Sequence, residues 1–267
     1  MSDGSARVVA EGTAARAALP RVRLRGIKKA FGSIEALRGV DLDLWPGEVL
    51  GLVGDNAAGK STLTKIIAGA YVPDAGTVEL EGEPVRFASP AEARARRIEM
   101  VYQDLSLCDS VDVAGNLFLG REPVRRVLGV PLLDKPRMLA EARRMLDSLD
   151  IHVPNLRALV AQLSGGQRQS IAIGRAAAFE PKVLIMDEPT SALAVAEVEA
   201  VLRLIRRVRD NGVSVILITH RLQDLFRVCD RIAVMYEGLK VAERRTGETD
   251  LEDLVRLIVG EKLRQAA

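Results

Sequence analysis

The chain has 267 residues, of which 48% are hydrophobic, so it can bury the core of one large domain or of two small ones. Its formal net charge of +2 is too small to indicate a nucleic acid or a membrane surface as a partner. The two cysteines, Cys108 and Cys229, lack the spacing of a metal site or of a disulfide framework, which favours a reducing compartment. The longest apolar runs are far shorter than the roughly 20 residues of a membrane-spanning helix, so any work at a membrane requires another chain to cross it.

The first 19 residues are small, polar and rich in alanine, and we expect them to form a disordered extension. Residues 20–267 are expected to form a single domain, because no motif occurs twice. The part from about residue 104 to residue 178 is predicted to be mostly helical. Its apolar positions form one stripe that predicts core packing, made of Met138, Leu139, Ala142, Met145, Leu146 and Leu149.

Short strand-like patterns dominate the first part of the predicted domain. Residues 22–53 read as short strands, residues 61–70 have helical spacing, and residues 77–87 predict a β-hairpin. From about residue 180 the chain alternates strand and helix, which predicts a parallel sheet. Ligands of such sheets bind beyond the carboxyl ends of the strands, so the polar residues directly after the strands are the candidate site.

Residues 54–61 read GDNAAGKS and match the pattern G-x-x-x-x-G-K-[ST] between a predicted strand and a predicted helix. In such a loop the backbone N–H groups cradle phosphates, the lysine reaches the β- and γ-phosphates, and the serine hydroxyl is a ligand of Mg²⁺. The alternative is a glycine-containing turn with a chance Lys-Ser, and the flanking strand and helix argue against it. The expected nucleotide-binding residues are Gly54, Asp55, Asn56, Ala57, Ala58, Gly59, Lys60, Ser61 and Thr62.

Two adjacent carboxylates, Asp187 and Glu188, follow the buried strand at residues 183–186. Asp187 suits the Mg²⁺ site, and Glu188 suits a general base that polarises an attacking water. Pro189 biases Glu188 away from the helical region, which helps to hold its carboxylate in one place. The alternative is a loop with two solvated acids, which the nearby phosphate-binding loop makes a poorer explanation.

His220 and Gln103 also follow predicted strands. His220 comes after the strand at residues 213–219, so we expect it at the same edge of the sheet, although a single histidine is more often structural than functional. Gln103 ends the strand-like run at residues 98–103 and is a candidate ligand of Mg²⁺ or of a water molecule. A glutamine at the end of a strand usually does neither.

Residues 163–169 read LSGGQRQ and combine a helix-capping pattern with two glycines. Ser164 and Gln167 form a capping-box pattern, whereas Gly165 and Gly166 each cost the first helical turn about 1 kcal/mol relative to alanine. The glycines leave backbone N–H groups open to an anion such as phosphate. Because ATP has a single γ-phosphate, this second surface binds either the same ATP from its far side or the ATP of another copy. A head-to-tail pair of chains explains the glycines best.

Taken together, these motifs resemble the nucleotide-binding subunits of ABC transporters over nearly the whole chain after residue 20. The resemblance implies an α/β fold with a P-loop NTPase core, in which helices flank a mostly parallel sheet, plus an N-terminal antiparallel β-subdomain and a helical signature subdomain. It also implies that residues 54–61 are the Walker A loop and that LSGGQ is the family signature. Gln103 is then the Q-loop residue, Glu188 the catalytic base and His220 the switch histidine.

Three further positions gain a meaning from this resemblance. Phe31, which alone reads as an ordinary core residue, falls where family members usually place an aromatic ring that stacks on adenine. Ala57 replaces a common glycine of the Walker A loop, so the loop either keeps a negative φ there or carries strain. Ala194 stands where many members have an aspartate that communicates across the dimer.

Residues 89–108, 116–122 and 253–261 are similar to the branch that energises import of monosaccharides such as ribose, xylose or fructose. Many members of that branch carry two cassettes in one chain of about double this length, and this chain carries one, so a homodimer is implied. The resemblance implies hydrolysis of ATP with Mg²⁺ on the cytoplasmic face of the cell membrane. Its implied partners are integral-membrane permease subunits and, indirectly, an extracytoplasmic sugar-binding protein, with no nucleic acid.

Three other functions remain open for the sequence. A soluble ABC-type ATPase that acts on nucleic acid or ribosomes usually carries tandem cassettes, coiled-coil insertions or basic extensions, which are not found in this sequence. A scaffold that binds ATP without hydrolysing it is disfavoured by Glu188 and His220. A transporter ATPase for a substrate other than a sugar is the third.

Overall fold

The computed structural model describes residues 19–265, and it describes side chains over residues 19–259. The predicted disordered extension lies outside the described residues apart from Leu19, and the predicted start of the domain at residue 20 stays a prediction. Within the described part of the chain, no helix has both the length and the apolar character that crossing a bilayer requires.

The described residues form strands and helices in the following chain order. The strands are β1 (Val22–Phe31), β2 (Ile34–Leu44), β3 (Val49–Gly54), β4 (Ala75–Leu80), β5 (Glu83–Val85), β6 (Ile98–Val101), β7 (Val124–Val127), β8 (Val130–Leu133), β9 (Val183–Asp187), β10 (Ser214–Ile218), β11 (Arg231–Tyr236) and β12 (Leu239–Arg245). The helices are α1 (Lys60–Ile67), α2 (Pro90–Ala95), α3 (Val113–Phe118), α4 (Lys135–Ser148), α5 (Gly165–Ala177), α6 (Val195–Asp210), α7 (Leu222–Val228) and α8 (Leu251–Gln265).

The central sheet has six strands in the order β12-β11-β3-β10-β9-β6. All neighbouring pairs are parallel except β11 with β12, which are antiparallel. Strand β10 is buried along its whole length, as its unbroken apolar sequence predicts for a strand covered on both faces. The predicted fold class, a mostly parallel sheet with flanking helices, is confirmed.

A second sheet, with the order β2-β1-β4-β5, is antiparallel throughout. Its apolar side chains share one core cluster with α1 and with one face of the central sheet. The hairpin predicted over residues 77–87 is confirmed as β4 and β5, and it turns at Glu81 and Gly82, both of which have positive φ. The predicted N-terminal antiparallel subdomain is therefore present.

Helices α3, α4 and α5 form the helical part after β6, and they pack on the other face of the central sheet. The apolar stripe predicted along α4 is confirmed, with Met138, Ala142 and Leu146 buried. Strands β7 and β8 form a hairpin inside this part that the sequence analysis did not predict. All of their residues are exposed, so no buried face imposes the alternation of apolar and polar residues that identifies a strand.

Candidate nucleotide site

The loop at residues 54–61, which the sequence predicts to bind phosphate, runs from the end of β3 to the start of α1. At two positions of the loop, both the close packing and the backbone conformation require glycine. Gly54 has φ 146°, and a Cβ atom there would lie 2.0 Å from the carbonyl oxygen of Met235. Gly59 has φ 94°, and a Cβ atom there would lie 2.6 Å from the carbonyl oxygen of Ala36. Strands β2 and β11 therefore hold the two ends of the loop, and neither end accepts a side chain.

Ala57 adopts φ 67°, so of the two alternatives for this position the structure has the strained one. A left-handed conformation costs a residue with a Cβ atom roughly 1 to 2 kcal/mol. Glu188, with φ 54°, and Ala192, with φ 58°, are also left-handed. Such residues are maintained only where the surrounding structure over-determines them, and they cluster at functional sites. The left-handed residues of the site lie in the loop at 54–61 and in the segment after β9, and other described residues with positive φ, such as Glu81, lie in turns elsewhere.

Lys60 points back into the loop. Its Nζ atom donates hydrogen bonds of 2.8 Å to the carbonyl oxygens of Gly54 and Asp55. Burial lowers the pKa of Lys60, and the carboxylates of Glu188, Asp187 and Asp55 oppose that shift. The ammonium group is therefore held among carbonyl dipoles and carboxylates at the carboxyl end of β3.

Asp187 and Ser61 form an oxygen pair beside the loop. Burial raises the pKa of Asp187, and the opposing causes are a side-chain hydrogen bond from Ser61 and the charges of Lys65 and Lys60. A hydroxyl and a carboxylate are oxygen ligands of the kind that Mg²⁺ takes, usually together with water and substrate phosphates. Among the described residues, no cluster of three or more His, Cys, Asp and Glu side chains could hold a metal ion by itself. The pair fits an ion that arrives with a nucleotide.

Glu188 and His220 are brought together from neighbouring strands. The Nδ1 atom of His220 lies 2.8 Å from Oε2 of Glu188, and the His220 backbone N–H donates to the same oxygen at 3.4 Å. The side chain of Glu188 is 17% exposed and that of His220 is 71% exposed. Glu188 lies outside the right-handed helical region, as expected before Pro189. One carboxylate oxygen is thus oriented by the histidine, in a position that water can reach.

A buried pair that the sequence analysis missed fixes the segment after Glu188. The Thr190 hydroxyl donates to Oδ2 of Asp224 at 2.8 Å, and both residues are buried. The Nε atom of Arg221 lies 3.3 Å from the same oxygen. Because Asp224 belongs to α7, this pair ties the helix after His220 to the loop after Glu188. No local pattern marked it, since its members are 34 residues apart.

Gln103 and Phe31 are both exposed. Gln103 follows β6, whose last residue, Val101, pairs with Met186 just before Asp187. Gln103 is therefore at the carboxyl edge of the sheet where Asp187 lies. Phe31 is 42% exposed and makes an edge-to-face contact with Tyr71 at 5.2 Å between ring centroids. The alternative that Phe31 is an ordinary core residue is therefore wrong, because the ring lies at the exposed end of β1.

The helix start at the LSGGQ segment has the predicted capping box: the Ser164 side chain accepts from the Gln167 backbone, and the Gln167 side chain accepts from the Ser164 backbone. The expectation that its N–H groups are open is wrong for Gly166. Its N–H donates to Oε1 of Glu197 at 3.0 Å, and the Ser164 hydroxyl donates to the same oxygen at 2.9 Å. The physical reason is that α6 begins beside α5 and directs Glu197 onto this helix start. A glutamate three residues into a predicted helix was the available signal.

Comparison with known proteins gives these features a family. A family model described as ABC transporter matches residues 37–191. The fructose import ATP-binding protein FrcA of Rhizobium meliloti is 44% identical over 248 residues, which are 91% of this chain and 95% of that protein. The xylose/arabinose import ATP-binding protein XylG of Sulfolobus acidocaldarius is 41% identical over 237 residues, 89% of this chain and 93% of that protein.

A solved structure shares the fold. It is a dimeric ATP-binding cassette in a post-hydrolysis state, bound to ADP and Pi, with a TM-score of 0.71 and 25% identity. The match covers 84% of this chain and 98% of the other. The family match over more than half of the chain, and relatives above 40% identity over about nine-tenths of it, show that the chain belongs to the ABC transporter family.

Proposed function

We propose that this chain is the ATP-hydrolysing subunit of an ABC importer for a simple sugar, and that two copies close on two ATP molecules. The observation that best supports ATP hydrolysis is the distance of 2.8 Å between Nδ1 of His220 and Oε2 of Glu188. This contact lies at the carboxyl edge of the sheet, where the loop at 54–61 also begins. The sugar as cargo is supported by relatives that are named for fructose and for xylose/arabinose import.

ATP binds along the loop at residues 54–62. Its phosphates accept hydrogen bonds from the loop's backbone N–H groups, whose positions the packed glycines at 54 and 59 fix. Lys60 exchanges the carbonyl oxygens of Gly54 and Asp55 for phosphate oxygens, because its ammonium group is attracted more strongly to an anionic oxygen than to a neutral carbonyl oxygen. Phe31, supported by the ring of Tyr71, offers an exposed face to adenine.

Ser61 and Asp187 would hold Mg²⁺, and Gln103 lies at the same edge of the sheet. A bound Mg²⁺ would supply positive charge that neutralises charge developing on the phosphates in the transition state. The raised pKa of Asp187 reflects the cost of keeping a half-buried carboxylate ionised, which a cation would relieve. The Ser61 hydroxyl and the Asp187 carboxylate are hydrogen-bonded to each other already, so they are positioned before the nucleotide arrives.

Glu188 acts as the general base. Its carboxylate orients a water molecule for in-line attack on the γ-phosphorus and accepts a proton from it as the bond to the ADP oxygen breaks. His220 keeps the Glu188 carboxylate in one orientation through the contact at Nδ1. Thr190 and Asp224 keep the loop after Glu188 attached to α7, so the base and the histidine move as one unit.

The γ-phosphate is enclosed by the second copy. Ser164, Gly165, Gly166 and Gln167 form a helix start that suits an anion, and their hydrogen bonds are made with one another and with Glu197 rather than with the loop at 54–61. In a head-to-tail dimer each helix start meets the ATP on the partner's loop. The dimeric ATP-binding cassette with ADP and Pi supports this arrangement.

Helix α5 transmits the closure of the dimer to the membrane partner. Arg175, near the end of that helix, donates to the carbonyl oxygens of Leu105 and Ser106, two and three residues after Gln103. A cavity of about 400 Å³ lies beside this link and is lined in part by Tyr102, Arg121 and Phe179. We assign this groove to a cytoplasmic helix of the permease, which places the chain at the cytoplasmic face of the membrane without crossing it.

The test is co-purification from membranes solubilised in mild detergent, with the tagged full-length chain as bait. The proposal predicts recovery of a polytopic membrane protein, and ATPase activity that rises when a monosaccharide and its binding protein are added to the reconstituted complex. Recovery of ribosomal proteins or nucleic acid, with ATPase activity that responds to them, would contradict it.

A further inference from the structure

The phosphate-binding helix start of α5 already holds an anion that belongs to the same chain. Oε1 of Glu197 accepts the Gly166 N–H at 3.0 Å and the Ser164 hydroxyl at 2.9 Å. Its other oxygen, Oε2, accepts the backbone N–H of Ala194 at 3.1 Å. Glu197 thus uses the two donors of the LSGGQ segment that face outward from the capping box.

The side chain of Glu197 fills the space that a Cβ atom at position 166 would occupy. A Cβ atom at position 166 would lie 2.7 Å from both Cβ and Cγ of Glu197 and 2.8 Å from its carboxyl carbon. The hydrogen bonds from Gly166, Ala194 and Ser164 lower the pKa of Glu197, the Gly166 N–H being the largest cause. The group therefore stays ionised at neutral pH and is the kind of ligand that a helix N-terminus favours.

We propose that Glu197 is a resident anion of the LSGGQ helix start, and that the γ-phosphate of the partner copy's ATP must displace it before the dimer closes. The inference rests on the proposed dimer. It adds Glu197, a residue of α6 that lies outside the LSGGQ motif.

Competition follows from the number of donors. Gly166 has one N–H and Ser164 has one hydroxyl hydrogen, so a phosphate oxygen and the Glu197 carboxylate cannot both take them. Two anions at one helix start also repel each other in a space that closure dehydrates. Each dimer has two such exchanges, and each raises the ATP concentration that closure requires.

A route for the displaced side chain lies next to it. Glu197 lines a cavity of about 410 Å³ together with Gly166, Ser164, Arg203 and Arg207. Arg207 is already paired with Asp150 at 3.1 Å. Arg203 lies about two turns along α6 from Glu197, so the displaced carboxylate turns into the cavity on the side of Arg203 by rotation about its side-chain bonds. The exchange is therefore a side-chain movement.

A purely structural role for Glu197 predicts the opposite result. Through Ala194, Glu197 caps the start of α6, which has no other side-chain cap. If capping were its only contribution, its removal would loosen the helix and weaken the dimer. The direction of the change in ATP requirement therefore separates the two roles.

The experiment uses the full-length chain with Glu188→Gln, which halts turnover, and follows dimer formation by analytical ultracentrifugation over a titration with ATP and Mg²⁺. Adding Glu197→Gln should lower the ATP concentration at half-dimerisation by about fivefold or more, the lower end of common coupling free energies. Glu197→Ala should lower it at least as far. The matched control is Glu199→Gln, which removes the same charge from α6 at a residue paired with Arg227 and should leave the midpoint unchanged.

An unchanged or higher ATP midpoint in both Glu197 variants, with thermal unfolding intact, would overturn the inference. An equal shift in Glu199→Gln would also overturn it, because the effect would then be general charge repulsion. If the Glu188→Gln chain itself forms no ATP-dependent dimer, the proposed dimer fails and this inference fails with it. If the chain dimerises with ATP but the Glu197 variants do not lower the ATP concentration at half-dimerisation, only this inference is overturned and the proposed dimer stands.

Discussion

Glu188 is held by its backbone, by its neighbour and by its depth in the site. Its φ of 54° turns the chain sharply after β9, and Oε2 lies 2.8 Å from His220. The sequence predicted both residues because each directly follows a buried strand, and the carboxyl ends of parallel strands meet at one edge. The sequence did not predict the left-handed backbone at Glu188, because that conformation results from tertiary contacts.

Glu188→Gln should reduce ATP hydrolysis by about 10²-fold to 10⁴-fold, the usual contribution of a general base, while the ATP dissociation constant changes little. Glutamine keeps the shape and cannot accept the proton. Phosphate release and binding of a fluorescent ATP analogue measure the two effects. Glu180→Gln, at an exposed glutamate paired with Arg97, is the control and should behave as the unchanged chain does. Turnover at the normal rate in Glu188→Gln would remove this residue from the mechanism.

Asp187→Asn should make the nucleotide-free chain more stable at neutral pH, although it removes a charge that the proposed Mg²⁺ site needs. Burial raises the pKa of Asp187 in the folded chain, so ionisation opposes folding at pH values above that raised pKa. Below the unfolded pKa both states are protonated, so the advantage of Asp187→Asn should vanish as the pH falls to about 4. Solvent screening at this partly exposed group limits the gain at pH 7.5 to about 0.5 kcal/mol.

Urea unfolding at pH 7.5 and at pH 4 measures this difference, and phosphate release from the same variant should fall sharply. The expectation fails if Asp187→Asn is less stable at pH 7.5, or if its advantage grows as the pH falls. Either result would mean that the interactions of Asp187 with Ser61 and the two lysines outweigh its burial.

At the scale of elements, α5 joins the phosphate-binding helix start to the segment after Gln103. Sequence reasoning identified its first turn because a capping box and two glycines together are an unusual combination. The position of Glu197 near the start of α6 indicated a helix cap, but no local pattern indicated its contact with Gly166, which lies 31 positions earlier in the chain. The β7–β8 hairpin was missed for a related reason: both of its faces are exposed, so no core sets a period in its sequence.

Gly166→Asp should reduce the rate of ATP hydrolysis by about 100-fold or more and leave ATP binding to the loop at 54–61 nearly unchanged. The new carboxylate would face the partner's γ-phosphate, and its Cβ atom would press on Glu197. Phosphate release and nucleotide binding measure the two effects. The matched control is Gly247→Asp, where a Cβ atom meets nothing within 4 Å. Normal hydrolysis in Gly166→Asp would remove the LSGGQ helix start from the ATP site.

In the whole molecule, one chain has two separate surfaces that we propose bind phosphate: the loop at residues 54–61 and the helix start of α5. The alternation of strand and helix was enough to predict the central sheet and the edge at which the first of these surfaces lies. The fold of one copy does not identify the ATP that the second surface contacts. The proposal that this ATP is bound to a second copy follows from the single γ-phosphate of ATP.

The most direct measurement is the mass of the Glu188→Gln chain by light scattering, with and without ATP and Mg²⁺. We expect the chain mass of 28.9 kDa without nucleotide and twice that value with ATP. Adding Gly166→Asp to the same chain should restore the single-chain mass in the presence of ATP. A mass of 28.9 kDa at saturating ATP, or a doubled mass that Gly166→Asp does not reduce, would contradict the claim that each copy completes the other's site.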